Sequence, residues 1–203
     1  MTQLDVQTII DSAAQQGGGA IRIWEHAVPG VYDATSPWVI PDRVSLDLGP
    51  AFGSLSAWTF RFSKQVAPEY AVRVAGAGSS LVGGAIQGMA QANPGSIGVR
   101  VTGHRSRVSG VSTHYFDEYG FEVRARVSEG TNANGFELSG CRAVRCGHGF
   151  YVNGEEVNAG VIFRCTAESN AGYGFFESGF LGGGYYSCHG RSEEHTSELQ
   201  SPI

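Results

Sequence analysis

The strongest constraint on the fold is a segment that repeats itself after 27 residues. When "AVRVAGAGSSLVGGAIQ" (71–87) is placed over "GVRVTGHRSRVSGVSTH" (98–114), six positions are identical without a gap. The identical residues are Val72, Arg73, Val74, Gly76, Ser79 and Gly83, which recur as Val99, Arg100, Val101, Gly103, Ser106 and Gly110. A repeat of this length, made of short alternating segments and glycines, indicates one structural unit stacked on the next.

Later copies keep the landmarks of this repeat while their spacing drifts. The tetrapeptide at 98–101 is followed by "GFEV" at 120–123, "GFYV" at 149–152 and "GFFE" at 174–177. Long 3.6-period segments and a leucine–asparagine ladder are absent, which excludes helical and leucine-rich repeats. The pattern predicts an all-β fold, a right-handed single-stranded parallel β-helix with about three short strands per rung, over residues 20–190.

Two further series run in parallel with these tetrapeptides. The first contains Gly110, Gly135 and Gly160, and the second contains Cys141, Cys165 and Cys188. We expect the cysteines to form an inward ladder of small apolar core residues. A disulfide between adjacent rungs stays open, because rung spacing permits one. The cysteines lack a CxxC pattern and histidines at zinc spacing, so no metal site and no cofactor is predicted.

The first nineteen residues predict a capping helix and a glycine turn. The apolar residues Val6, Ile9, Ile10, Ala13 and Ala14 lie on one helical face, and "GGG" at 17–19 ends the helix. With a net charge of -5 and no basic tract, the chain is not expected to bind nucleic acid. No apolar run is long enough for a membrane span, so membrane insertion is not expected, and no signal peptide is visible.

Several short stretches carry a resemblance to a known group. They are "PGVY" (29–32), "WVIPDRVSLDL" (38–48) and the tripeptides "NGF", "HGF" and "YGF" of the later rungs. Together with the N-terminal helix, they make residues 1–190 similar to the pectate-lyase-like β-helix proteins. The resemblance is specific for the fold. It is weak for activity, because this superfamily holds lyases, glycoside hydrolases, phage tailspikes and proteins without known activity.

The resemblance implies recognition of an extracellular or cell-surface polysaccharide. It places the protein outside the cell, on a cell surface or on a phage virion, and a tailspike-like full-length protein would be a homotrimer. One alternative is a polysaccharide lyase or glycoside hydrolase whose catalytic rungs are missing from this chain. A second alternative is a passive structural stalk, since fold alone does not choose among these functions.

The last thirteen residues depart from the repeat. "RSEEHTSELQS" at 191–201 resembles a translated sequencing adapter, and Pro202 and Ile203 follow it. We therefore expect residues 191–203 to be a non-native, disordered tail after a β-helix truncated at its C-terminus.

Catalytic residues are not assigned by the sequence. Pectate lyases need several carboxylates for Ca²⁺, and the nearest candidates are the pairs Asp117–Glu118 and Glu155–Glu156. Polygalacturonase-type hydrolases need paired carboxylates. The tripeptide around His148 matches their "GHG", but their aspartate motifs are missing. We expect these acids to lie in solvated turns and His148 to cap or line a turn.

The central residues of the repeated strands are the better candidates for a binding site. In "VRV", "VRV", "FEV", "FYV" and "FFE", the flanking apolar residues should point inward and the central residues outward. The central residues are Arg73, Arg100, Glu122, Tyr151 and Phe176. Stacked rungs would align them as a saccharide-binding groove, with fork-like hydrogen bonds and aromatic stacking. The same residue types also coat exposed sheets without a ligand.

Overall fold

Three parallel sheets wind into a β-solenoid of about six turns, preceded by one α-helix. The computed structural model describes residues 5–25, 29–50, 58–63, 66–67, 69–88, 96–179 and 182–191. The predicted all-β parallel solenoid with an N-terminal helix is therefore confirmed. No helix in these ranges is long and apolar enough to cross a membrane.

Each rung contributes one strand to each sheet. The first sheet contains, in order, β1 Gly19–Arg22, β4 Val44–Asp47, β7 Ser80–Val82, β10 Arg107–Ser109, β13 Glu137–Ser139, β16 Val161–Phe163 and β19 Gly184–Tyr186. The second contains β2 Gly30–Asp33, β5 Trp58–Arg61, β8 Ala85–Gln87, β11 Ser112–His114, β14 Arg142–Val144, β17 Thr166–Glu168 and β20 His189–Arg191. The third contains β3 Trp38–Ile40, β6 Tyr70–Val74, β9 Ile97–Val101, β12 Tyr119–Ala125, β15 His148–Gly154 and β18 Phe175–Ser178. Short 3-10 helices cover Ile23–Glu25 and Val127–Glu129.

The strand register confirms the repeat alignment. Val72 pairs with Val99, and Val99 with Phe121. Phe121 then pairs with Phe150, and Phe150 with Phe175. The three phenylalanine rings stack inside the solenoid with centroids 4.7 and 4.9 Å apart and nearly parallel planes. This spacing matches the separation of neighbouring strands, so each ring fills the core of its own rung and packs on the next.

The shared Gly–Ser motif of the first two copies closes the same turn twice. Ser79 Oγ donates a hydrogen bond to the Gly76 carbonyl at 2.6 Å, and Ser106 Oγ donates to the Gly103 carbonyl at 2.6 Å. A Cβ on Gly103 would lie 2.2 Å from the Gly76 oxygen. The glycine is required because the two turns stack too closely for any side chain.

The predicted series of Gly110, Gly135 and Gly160 is wrong as a structural column. Gly110 follows β10, whereas Gly135 and Gly160 precede β13 and β16. The residues equivalent to Gly110 in the neighbouring rungs are Gly83 and Gly140. All three have a left-handed backbone, with φ of 63° at Gly110, 67° at Gly83 and 61° at Gly140. The series failed because the segment between β12 and β13 is longer than its counterparts, which shifts later residues along the repeat.

The cysteine ladder is confirmed. Cys141, Cys165 and Cys188 lie at equivalent corners between the first and second sheets, and all three thiols are free. Each donates a hydrogen bond to a carbonyl of the preceding rung, at 3.4 to 3.5 Å. Hydrogen bonding to Cys141 raises the pKa of the Cys165 thiol to about 12. The ladder therefore behaves as core packing with satisfied polar sulfurs.

The N-terminal helix, α1 Val6–Gln15, covers the first rung. Asp5 caps it by accepting a hydrogen bond from the Thr8 amide at 3.2 Å, and Val6 and Ile10 are buried. The Gln7 side chain accepts from the Val39 amide at 2.8 Å and donates to its carbonyl. β3 is an edge strand of the third sheet, so its backbone groups could pair with another chain. The side-chain amide of Gln7 occupies those of Val39.

The residues described by the structure include only Arg191 of the predicted tail. Arg191 ends β20 and pairs with Glu168 of β17. Residues 192–203 lie outside the described ranges, so the predicted disorder of the tail stays a prediction.

Glycines of the third sheet give a matched test of this packing. A Cβ at Gly149 would lie 2.3 Å from the Gly174 oxygen and 2.8 Å from Ala167, whereas one at Gly174 would lie 3.3 Å from Ala167. We expect Gly149→Ala to lower the free energy of unfolding by about 1–3 kcal/mol and Gly174→Ala by less than about 1 kcal/mol. Urea unfolding measures both, and equal losses would contradict the stacked geometry.

Candidate functional site

The outer face of the third sheet carries all five predicted binding residues. Arg73 pairs with Arg100, Arg100 with Glu122, Glu122 with Tyr151, and Tyr151 with Phe176. The predicted alignment along one face is therefore correct, although the structure gives the five side chains three different environments.

Arg100 and Glu122 are buried, which differs from the exposed stripe expected from the sequence. Their side chains are only 9% and 4% exposed. Arg100 Nε donates to Glu122 Oε2 at 2.5 Å, and Arg100 Nη1 donates to Glu69 Oε1 at 2.6 Å. The Arg100 guanidinium also lies 5.3 Å from the centre of the Tyr70 ring. Because adjacent rungs are so close, the long side chains fold along the sheet and pair with each other.

This pair belongs to a wider charged cluster that sequence reasoning missed. The hydrogen bond from Arg100 lowers the pKa of Glu69, and the charges of Arg100, Arg124 and Arg73 lower it further. Burial raises the pKa of Glu118, and the charge of Glu122 adds to this shift. Glu118 was expected from the sequence in a solvated turn, but it lies partly buried in a bend beside β12. Glu69 lies outside the repeated tetrapeptides, so only its position beside β6 could have indicated it.

The aromatic residues form a stack whose ring faces are largely covered. Tyr151 lies between Tyr119 and Phe176, with centroid distances of 4.7 and 5.2 Å and interplanar angles of 22° and 15°. Tyr173 stacks on Phe176 at 5.3 Å. Tyr173 and Phe176 are 61% and 41% exposed, whereas Tyr151 is half-buried. Tyr151 therefore supports the stack, and the accessible aromatic surface lies at Tyr173 and Phe176.

His148 holds the exposed end of the stack in place. Its Nδ1 accepts a hydrogen bond from the Tyr173 amide at 2.9 Å, which confirms that it caps a turn. Its ring stacks on Tyr173 at 5.6 Å and lies 5.6 Å from Tyr119. Burial lowers the pKa of His148, which favours the neutral ring needed to accept this bond.

Polar residues flank the aromatic stack on the same face. Arg124 pairs with Asn153, and Asn153 with Ser178, in a column two residues beyond Glu122, Tyr151 and Phe176. Such side chains supply hydrogen-bond donors and acceptors beside an aromatic surface. Arg73, at the other end of the face, donates from Nε to Thr102 Oγ1 at 3.1 Å.

In the second acidic pair considered from the sequence, both residues accept hydrogen bonds. Glu155 Oε2 accepts from the Val127 amide at 3.2 Å, and Glu156 Oε2 accepts from Asn134 Nδ2 at 2.9 Å. Both therefore stabilise turns. Within the described ranges, no group of three or more His, Cys, Asp or Glu residues is arranged to hold a metal ion.

A second cluster lies on the outer face of the second sheet. Ser112 Oγ and His114 Nε2 are 2.7 Å apart, and the neighbouring rungs place Arg142 in an ion pair with Glu168. Burial, together with the charges of Arg142 and Arg145, lowers the pKa of His114 from 6.5 to about 4. Ser112 is itself buried, at 6% exposure, so this cluster offers less access to a ligand than the aromatic stack.

Comparison with known proteins adds a likeness of fold. No protein-family model matches the chain, and no curated protein matches it. One solved structure with a similar fold is described as a "putative glycosyl hydrolase" from Parabacteroides merdae ATCC 43184. It shares 10% sequence identity with this chain, covering 91% of this chain and 88% of its own, with a TM-score of 0.49. A likeness at this level says nothing about activity.

Two arginines test the difference between buried and exposed ion pairs. Arg100 and Arg107 each pair with a glutamate of the next rung, but the Arg107 side chain is 72% exposed. We expect Arg100→Met to lower the free energy of unfolding by about 3 kcal/mol, because it leaves Glu122 buried without its partner. Arg107→Met should cost less than about 1 kcal/mol. Urea unfolding compares the variants, and similar losses would contradict the burial of Arg100.

His114 predicts a defined pH dependence of stability. Its pKa is about 4 in the folded chain and 6.5 ordinarily, so between these values the unfolded chain binds a proton that the folded chain does not. The free energy of unfolding should therefore fall as the pH falls from 6.5 to about 4. His114→Gln should reduce this fall, while His189→Gln, at an exposed position, should not. Urea midpoints across this pH range measure it, and an unchanged fall in His114→Gln would refute the assignment.

Proposed function

We propose that the outer face of the third sheet binds a polysaccharide, with Tyr173 and Phe176 as the main contact. The observation that carries this proposal is the exposure of Tyr173 and Phe176, which belong to a rigid stack of rings. Aromatic faces bind the apolar faces of sugar rings, and neighbouring polar side chains bind their hydroxyl groups. Asn153 and Ser178 occupy suitable positions beside the pair.

Rigidity of the stack supports binding by these rings. Phe176 packs on Tyr151, Tyr173 packs on His148, and the Tyr173 amide is held by His148. Side chains that are already ordered lose little conformational entropy when a ligand arrives. The exposed pair is therefore prepared for a flat apolar ligand surface, which favours recognition over a passive stalk.

The charged cluster favours recognition over catalysis. A glycoside hydrolase needs two carboxyl groups that can reach opposite sides of the scissile bond. Glu122 is buried and bound to Arg100, and Glu69 is bound to the same guanidinium. Both carboxylates are held by the same guanidinium, so neither is free to act as an independent acid or base. Binding on a cell surface, on a virion or in the extracellular space, with a trimeric full-length protein, remains part of this proposal.

Alanine variants at the exposed rings test the proposal. Tyr173→Ala and Phe176→Ala should each weaken binding about fivefold, because each removes roughly 1 kcal/mol of aromatic contact. Affinity electrophoresis through gels that contain defined neutral and acidic polysaccharides measures retention. The control is Tyr186→Ala, since Tyr186 is 57% exposed on the first sheet. If a polysaccharide that retards wild type retards both ring variants equally, the face is not the binding site.

A further inference from the structure

Three arginines and three glutamates form one charged cluster on the face of the third sheet. They are Arg73, Arg100, Arg124, Glu69, Glu118 and Glu122, whose charges act on one another. Equal numbers of opposite charges leave the cluster with no net charge.

The arginine best placed to bind an anion is already occupied. Arg100 is bonded to Glu122 at 2.5 Å and to Glu69 at 2.6 Å, and its side chain is 9% exposed. Arg124 Nη2 donates to Glu129 Oε1 at 2.6 Å. A carboxylate from a ligand would have to displace one of these acids, and the side chain of Glu69, at 64% exposure, faces solvent on the approach to Arg100.

Glu118 adds a third carboxylate to the same face. No arginine within the described ranges forms an ion pair with it, and its backbone is fixed by bonds to Ser96 and His148. The His148 amide donates to the Glu118 carbonyl at 2.7 Å, which ties Glu118 to the residue that supports Tyr173. The acid therefore lies close to the base of the aromatic stack.

We infer that this face binds a neutral glycan, and that Glu69 and Glu118 exclude polyuronates. This inference rests on the proposed saccharide-binding function. Sugar hydroxyl groups can donate to carboxylates and accept from guanidinium groups, so a neutral chain can bond to the cluster without breaking its ion pairs. The carboxylate of a uronate can only accept hydrogen bonds, and it would meet Glu69 and Glu118 as like charges.

Removing the two acids should admit acidic glycans. Glu69→Gln leaves Arg100 paired with Glu122, and adding Glu118→Gln makes the cluster positive. We expect the double variant to bind polygalacturonate at low salt at least about fivefold more tightly than wild type, with the gain lost at high salt. The control is Glu137→Gln, which removes a partly exposed acid from a cross-rung ion pair of the first sheet.

Affinity electrophoresis with four probes separates the outcomes: galactomannan, hydroxyethylcellulose, polygalacturonate and alginate. Wild type should be retarded by a neutral gel and pass freely through both acidic gels. Retardation of wild type by an acidic gel, lost in Phe176→Ala, would overturn the neutral-glycan inference and leave the proposed function standing. Retardation by none of the four would overturn the proposed function, and this inference with it. If Glu137→Gln increases the affinity for polygalacturonate as much as the double variant does, the roles assigned to Glu69 and Glu118 are wrong.

Discussion

The close, in-register stacking of successive rungs determines the rest of this structure. Neighbouring parallel strands lie about 4.8 Å apart, so a residue must fit against its own equivalents above and below. Inside the solenoid, this rule selects flat rings at Phe121, Phe150 and Phe175, which stack at 4.7 and 4.9 Å. At the corners, it selects glycine where two backbones approach, as at Gly103 over Gly76.

The same rule governs the outer surface. Charged side chains at equivalent positions pair along the axis of the solenoid, as in Arg100 with Glu122 and Arg107 with Glu137. Aromatic side chains stack along the same axis, which covers the faces of Tyr151. Consequently, a ladder of rings on a β-solenoid presents mainly ring edges to solvent.

The fold could be predicted from the sequence because the repeat records the register directly. Arg73 over Arg100 and Cys141 beside Cys165 are positions in an alignment, and parallel pairing converts that alignment into contacts. Burial on the outer face could not be predicted in the same way. It depends on whether a neighbour from outside the repeat reaches the side chain, as Glu69 reaches Arg100.

Turn lengths were the second limit on prediction. The segments between strands differ enough in length that equal steps in the sequence did not identify equivalent positions, as Gly110 and Gly135 demonstrate. The candidate site is affected in the same manner. Tyr173 belongs to the segment before β18 rather than to the repeated strand, and its stacking on Phe176 depends on the turn held by His148.

The rung that exposes the aromatic pair also departs from the core pattern. The inward column of Ile40, Val74, Val101, Val123 and Val152 reaches Glu177 in β18. Burial raises the pKa of Tyr185, and the charge of Glu177 and a hydrogen bond to it add to the shift. A carboxylate in place of valine removes apolar burial from the rung that carries Phe176. The surface best suited to stacking thus lies on a rung where a carboxylate follows the valines of one inward column. A ligand that packs on Phe176 would restore buried apolar area there, which links binding at this face to the stability of the rung beneath it.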